Sequence, residues 1–512
     1  MPSSTGATPA IYVDRLIEIL AGGASRPCLK YRDHEIGADA FLASIHRYAR
    51  VLDVLPLGRG DLVAIFAPNH PDALALRYAA NLLGVGATFL SDAGTAQTRA
   101  ELIATLAPRL VVVFAETAGL LPAAMTAQVA GVGITPPGGF DLKAMAAEMP
   151  SEAVPCRARP DDLAVVVSSG GSTGVPKGSW RGFGAYSAMV MAPSPADRRQ
   201  LVNGPLAYLS QVLVDMTLLG GGSVVLRDRY EAMDTLITIE KERITDLFLV
   251  EPQLFDLMDH PRSTSTDLSS LRTLTHIGAS APPTLRRRAR ERFGPKIVHT
   301  YGASEEGLVS MLTASQAEVA DEAQRCSAGR VLPGVELRFR RSDGSLAERG
   351  EIGSIELRSP GMAAGYRHRP DLEALAFKDG WYRSGDLGRL DEAGYLHILG
   401  RAVDVEFVEG RPVGPTLIED TLCRLPTVRS ASVVVDADAR RRVALLLPWP
   451  GTPIDEAACR DAVAARLGET VAATLVLVAS DKTPLTPQGK PDREAIRLLG
   501  RAAFDARQGV HE

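Results

Sequence analysis

Residues 168–178 read Ser-Ser-Gly-Gly-Ser-Thr-Gly-Val-Pro-Lys-Gly and follow the apolar run LAVVV at 163–167. A glycine-rich backbone approaches a ligand closely and aims its N–H groups at an anion. Ser168, Ser169, Ser172 and Thr173 add hydroxyl donors, and Lys177 adds a charge. That donor set suits a polyphosphate. It is not a P-loop, which needs Gly-Lys followed by Ser or Thr; here Pro176 precedes the lysine and Gly178 follows it. Taken alone, the same composition also describes a plain turn. A second lysine, Lys490, sits in the Pro/Gly-rich loop TPLTPQGKPDR. Only eight of the 56 basic residues are lysines, so both positions stand out.

The elements that must carry these residues follow from periodicity. DLVAIF at 61–66 ends in Pro68-Asn69 and reads as a buried strand and turn. Helical spacing over 71–84 ends at Gly84, a strand follows at 86–90, a helix starts at Ala96, and 110–115 is another buried strand. The rhythm recurs with a strand at 224–227, a helix over 229–242 and a strand at 246–251. Strand–helix alternation predicts an α/β fold with mostly parallel sheets. Pro282 and Pro283 open a further helix, with Leu285, Ala289 and Phe293 on one face and arginines on the solvated side.

From Pro333 short β-type runs separated by Gly/Asp turns predict an antiparallel β subdomain. After Gly400 the pattern becomes α+β, with helices over 416–425 and 455–467 and strands at 430–436, 442–447 and 474–478. The expected division is a large N-terminal domain, 1–400, with α/β subdomains and a β subdomain, and a small mobile C-terminal domain, 401–512, carrying Lys490.

The composition excludes several classes. At roughly 150 residues per domain, 512 residues suggest about three structural units. With 46% apolar and 23% charged residues the chain is not mostly disordered. A net charge of −5 leaves no basic field for nucleic acid or an anionic membrane. Apolar runs such as 110–115 fall far short of the ~20 residues that span a bilayer. The N-terminus lacks the pattern of a signal peptide. The five cysteines (Cys28, Cys156, Cys326, Cys423, Cys459) are scattered and form no CxxC pair, so neither a metal site nor a disulfide framework is expected, and a reducing cytoplasm fits.

Further motifs follow the loop in order: His299-Thr-Tyr-Gly-Ala-Ser-Glu305, Trp381-Tyr-Arg-Ser-Gly-Asp386, Gly400-Arg401, and Pro484 to Arg493 around Lys490. Gly60-Asp61, Gly350-Glu-Ile-Gly353 and Gly365-Tyr366 are weaker landmarks. Together they resemble the adenylate-forming (AMP-binding) superfamily, which includes acyl-CoA synthetases and other AMP-dependent synthetases and ligases.

The resemblance implies ATP and Mg2+ as cofactors and gives each matched residue a task. An acid attacks the α-phosphorus of ATP, so catalysis is mostly positioning and charge neutralisation. Ser169, Gly170, Gly171, Ser172, Thr173, Gly174 and Lys177 would hold the β/γ-phosphates. Glu305 would ligate Mg2+, a hard cation that takes carboxylate oxygen. Tyr301, with Gly302 and Ser304 beside it, would stack on adenine opposite Gly278 and Ala279. Asp386 would accept from the ribose hydroxyls, with Arg401 assisting. Lys490 would reach the attacking oxygen; with Glu305 and Thr173 it forms the expected catalytic set. Tyr208, Gln211 and Gly278 would border the acid.

The chain also departs from the family pattern. Ser304 replaces a threonine, and Tyr208 stands where histidine is common. In the hinge segment Val403 and Phe407 replace polar residues, Pro412 stands at an often polar position, and Leu417 replaces a glutamate. In thioester-forming members this segment lines the thiol entry. The expected function is an ATP-dependent, AMP-forming ligase that adenylates a small or aromatic acid, releases pyrophosphate and passes the acyl group to CoA or a carrier thiol. The altered segment leaves an alternative: a diazotase that activates nitrite as an AMP anhydride and diazotises an aromatic amine. A silent ATP-binding protein is the alternative of another class, and intact Lys490, Glu305 and Asp386 speak against it.

Overall fold

The computed structural model describes residues 10–508, apart from 24, 93, 123–124, 171–175, 278–280, 314–315, 317–326 and 487–488. Among the described residues, two large sheets dominate, one of nine strands and one of eight. In the first, Ile297–Ala303, Thr273–His276, Asp246–Leu249, Arg199–Val202, Ser223–Leu226 and Pro27–Tyr31 run parallel. Antiparallel strands close its edges. In the second, Leu163–Gly170, Gly86–Leu90, Leu62–Phe66, Leu110–Val113, Gln128–Gly131 and Phe140–Asp141 are parallel. Their fully buried apolar runs, such as Leu62–Phe66, are what a parallel sheet covered on both faces requires.

The helix Pro71–Leu82 lies in the core these sheets share. Pro71 sits in its first turn, and the His70 ring accepts the Asp72 amide at 3.1 Å. It is buried along almost its whole length, as expected for a helix that is apolar on most faces. Arg77 is its one fully buried charged residue, and the charge is answered. Asp215, on the helix Gln211–Leu219, takes two hydrogen bonds from Arg77 at 2.7 and 2.8 Å. Asp215 also accepts from the hydroxyls of Tyr78 and Tyr186.

A smaller antiparallel sheet joins Glu336–Arg340, Gly353–Arg358, Trp381–Leu390 and Leu396–Arg401. The segment after it carries a three-stranded sheet of Val428–Asp436, Arg441–Pro448 and Leu475–Ala479, with its own apolar core. This segment touches the rest of the chain through Asp420, which accepts from the amide and hydroxyl of Thr284 at 2.9 and 2.7 Å.

Most expected elements lie within a few residues of their predicted bounds. One differs in kind. Ser168, Ser169 and Gly170 extend the strand Leu163–Gly170, which forms an antiparallel hairpin with Pro176–Gly182. The glycine-rich stretch is thus partly ladder, pairing Ser169 with Lys177. No helix among the described residues is long and apolar enough to cross a membrane.

Candidate active site

The strand Pro176–Gly182 presents Lys177, Ser179 and Arg181 at a period of two, so all three share one face. All three reach the turn after Ile297–Ala303. The Lys177 ammonium lies 3.1 Å from Glu305 Oε1. Ser179 Oγ donates to the Ser304 carbonyl at 3.2 Å, and Arg181 Nη2 donates to the same oxygen at 2.6 Å. Tyr366 completes the grip: it accepts from Lys177 at 2.8 Å and donates to Glu305 at 2.9 Å. The turn is tight. A Cβ on Gly302 would stand 2.1 Å from the Gly307 carbonyl oxygen, so only glycine fits there.

Asp386 is placed by the strand Trp381–Leu390, whose alternation buries Tyr382, Ser384 and Asp386 on one side. Tyr301 Oη donates to Asp386 Oδ2 at 2.6 Å, and Arg401, its cross-strand partner, lies 3.3 Å away. Burial raises the Asp386 pKa, while Arg401 and the Tyr301 hydroxyl oppose the rise. Glu306, one residue beyond Glu305, is almost fully buried, and among the described residues its Oε2 has no hydrogen-bond partner. Burial, then the charges of Asp386 and Glu305, push its pKa well above the usual carboxylate value.

Lys490 arrives from the C-terminal segment. Its loop is pinned by backbone bonds, Thr486 N–H to the Lys490 carbonyl at 2.7 Å and Asp492 N–H to Pro484 at 2.8 Å. Gly489 has φ +79, and a Cβ there would meet Val250 and Gln253 at 3.1 and 3.3 Å. The loop therefore packs directly on the helix Glu251–Asp259. Lys490 is open to the cleft, yet protein surrounds the cleft on most sides. This burial, and then the charge of Arg401, lower its pKa; Glu305 and Asp386 pull the other way. Lys490, Asp386, Arg401 and Glu306 border both a cleft of about 1600 Å³ and an adjoining cavity of about 320 Å³. Lys177, Ser168, Tyr208, Ser304 and Glu305 line the cleft; Tyr301 lines the cavity.

Of the residues named from sequence, Lys177, Tyr208, Gly302, Ser304, Glu305, Asp386, Arg401 and Lys490 thus gather around one opening. Gly171, Ser172, Thr173, Gly174, Gly278 and Ala279 lie outside the described residues, and Ser169 and Gly170 are described only as backbone. Gln211 is a correction: it is fully buried and does not line the cleft. On its helix the cleft face is made by Val212 and Met216, at i, i+4, and Gln211 is rotated off it. The preceding turn, Leu206–Ser210, is a π-type segment that brings Tyr208 to the cleft. Sequence reasoning missed Arg181 and Glu306. The alternation Lys177, Ser179, Arg181 was the available signal for the first.

The profile of the family described as AMP-binding enzyme matches residues 20–367. The chain belongs to this family of AMP-forming ligases. The medium/long-chain-fatty-acid–CoA ligase FadD8 of Mycobacterium tuberculosis is 29% identical over 94% of this chain and 89% of its own length. Feruloyl-CoA synthase from an Amycolatopsis species is 32% identical over 80% of this chain and 83% of its own. The solved amide bond synthetase McbA from Marinactinospora thermotolerans superposes with a TM-score of 0.83 at 30% identity, covering 95% of this chain and 99% of McbA. A chain of this family is an enzyme, which removes the silent ATP-binding alternative.

Proposed function

We propose that this member of the family joins the carboxyl group of an acid with an apolar body to AMP and then transfers the acyl group to a thiol, CoA or a carrier-borne thiol. The observation that carries the reading is the meeting of Lys490, from the C-terminal segment, with Glu305, Asp386 and Arg401 at one opening. In the first step a carboxylate oxygen bonds to the α-phosphorus of ATP, and the bond to the β-phosphate oxygen breaks. Pyrophosphate leaves with the electron pair. Lys490 neutralises the charge that builds on the attacking and α-phosphoryl oxygens. Asp386, oriented by Tyr301, receives the ribose hydroxyls. In the second step the thiol sulfur attacks the acyl carbon, and AMP leaves.

Among the described residues no three His, Cys, Asp or Glu side chains gather about one point. The donor set therefore fits Mg2+ carried largely on phosphate oxygens, with Glu305 as its protein carboxylate. When bound, the ion supplies charge neutralisation at the departing phosphates. Met189, Val212, Met216, Leu308, Met311 and Val335 on the cleft wall favour an acid with an apolar or aromatic body. That lining does not suit nitrite, and none of the three relatives above is named for it.

The second step requires movement. We infer that 1–400 and 401–512 turn against one another about the hinge after Gly400. Val403 and Phe407 are 84% and 58% exposed here, so apolar surface at the hinge is free to be covered in a rotated arrangement. A second reading keeps adenylation and makes an amine the acceptor; the likeness to McbA at 30% identity favours it. Pyrophosphate release across a panel of acids, with and without CoA or an amine, tests all of this. Release that depends on the acid, followed by thioester formation, supports the first reading. Product formed only with the amine moves it to the second. No release from any acid overturns both.

A further inference from the structure

We propose that Arg181 is a specificity-determining residue that reads a second carboxylate on the acid, so that the preferred substrate is a diacid. This rests on the adenylation reading above and adds the substrate's charge to it.

Arg181 is 1% exposed, yet it lines the cleft. Two of its donors are spent on backbone: Nε on the Gly361 carbonyl at 2.6 Å and Nη2 on the Ser304 carbonyl at 2.6 Å. Among the described residues Nη1 has no hydrogen-bond partner, and no carboxylate lies within ion-pair distance of the guanidinium. Two other buried arginines, Arg77 and Arg442, are answered by carboxylates. Arg77 has the two oxygens of Asp215, and Arg442 has Glu406. A buried guanidinium hydrogen-bonded only to neutral carbonyls, with Glu305 acting on it from beyond ion-pair distance, has room for a directly bound anion. Burial lowers its pKa only to about 10, with Glu305 opposing, so it stays charged at neutral pH.

An apolar residue also borders it. A Cβ on Gly361 would stand 2.9 Å from Met189 Cβ, and one on Gly307 would stand 3.5 Å from Met189 Sδ. Met189 thus packs on the two glycine backbones that flank the guanidinium. Arg181 thus lies beside Met189, at an apolar part of the cleft wall. A cation beside an apolar wall selects an acid with an apolar stem and a second anion. A planar, two-donor guanidinium matches a carboxylate.

The test is pyrophosphate release at saturating ATP for matched acid pairs, hexanoate against hexanedioate and 3-phenylpropanoate against 3-(4-carboxyphenyl)propanoate, by the wild type, Arg181→Lys and Arg181→Met. The expected result is a kcat/KM at least tenfold higher for the diacid of one pair, carried in KM. Arg181→Met should abolish that preference, Arg181→Lys should keep part of it, and KM for ATP should stay within twofold throughout. A wild type without diacid preference overturns the inference. So does an Arg181→Met enzyme that weakens both acids alike, which marks a brace for Ser304 and Gly361. A tenfold rise in KM for ATP also overturns it, because the anion would then be a phosphate. Should Arg181→Met fail to fold, the wild-type preference and Arg181→Lys decide. Release from monoacids alone leaves adenylation standing and sinks only this proposal; release from no acid sinks both.

Discussion

Lys177 and Glu305 face each other across 3.1 Å, with the Tyr366 hydroxyl bonded to both. The residue expected at the polyphosphate is also the counter-ion of the residue expected at the metal. Because Lys177 and Tyr366 both engage Oε1, Glu305 keeps its other oxygen for a cation.

Lys177→Met should therefore act on Glu305. Removing a charged hydrogen-bond partner typically costs about 1.5–3 kcal/mol, roughly ten- to a hundredfold. The expected outcome is a loss of that size in pyrophosphate release together with a changed Mg2+ dependence. A loss with an unaltered Mg2+ titration would place Lys177 on the phosphates alone.

Lys490→Ala should lower pyrophosphate release by roughly a hundredfold or more, while equilibrium binding of ATP stays nearly unchanged. The ammonium is the active form, and burial with Arg401 lowers its pKa. The rate should accordingly fall, as pH rises, below the ordinary lysine value of about 10.4. Arg401→Gln removes a like charge, raises the Lys490 pKa and moves the alkaline limb upward. A pH–rate profile of that variant with an unmoved limb would contradict the pairing.

Asp386→Asn should raise KM for ATP by about tenfold, since a charged acceptor is lost. Tyr301→Phe should raise it less, by about two- to tenfold, because only the hydroxyl that orients Asp386 goes. Steady-state KM values for ATP and acid check this; a change confined to the acid would remove Asp386 from the ribose.

Arg77→Met leaves Asp215 buried without its counter-ion. Breaking such a pair typically costs about 3–5 kcal/mol. Urea unfolding should show that loss. The helix carrying Asp215 also carries Val212 and Met216, so surviving enzyme should show a raised KM for the acid and an unchanged KM for ATP.

Much of this architecture is legible in the sequence, because buried parallel strands are continuous apolar runs and their helices end at glycines. Leu62–Phe66 and Gly86–Leu90 are examples. The site is legible by order: Glu305, Asp386 and Lys490 follow recognisable neighbours. What escaped depends on register and distance. Lys177 meets Glu305 only because two hairpins abut, and nothing local to either sequence reports that. The π-type turn before Gln211 sets which helix face meets the cleft, and a single-sequence period count does not see a one-residue insertion. Glu306 reads as one more acid after Glu305; its burial beneath Asp386 is a tertiary fact.

The short strand Gly365–Tyr366 joins the hairpin strand Pro176–Gly182 through the pair Gly365–Trp180. Upstream, the same stretch of chain forms the cleft wall at Gly361, and Tyr366 holds Glu305. One continuous thread of backbone thus reaches the wall proposed for the acid and Glu305, the carboxylate proposed for the metal. Two ligands that share a mechanical element cannot bind independently if either displaces it. Whatever factor the acid imposes on the affinity for nucleotide, the nucleotide must impose on the affinity for acid.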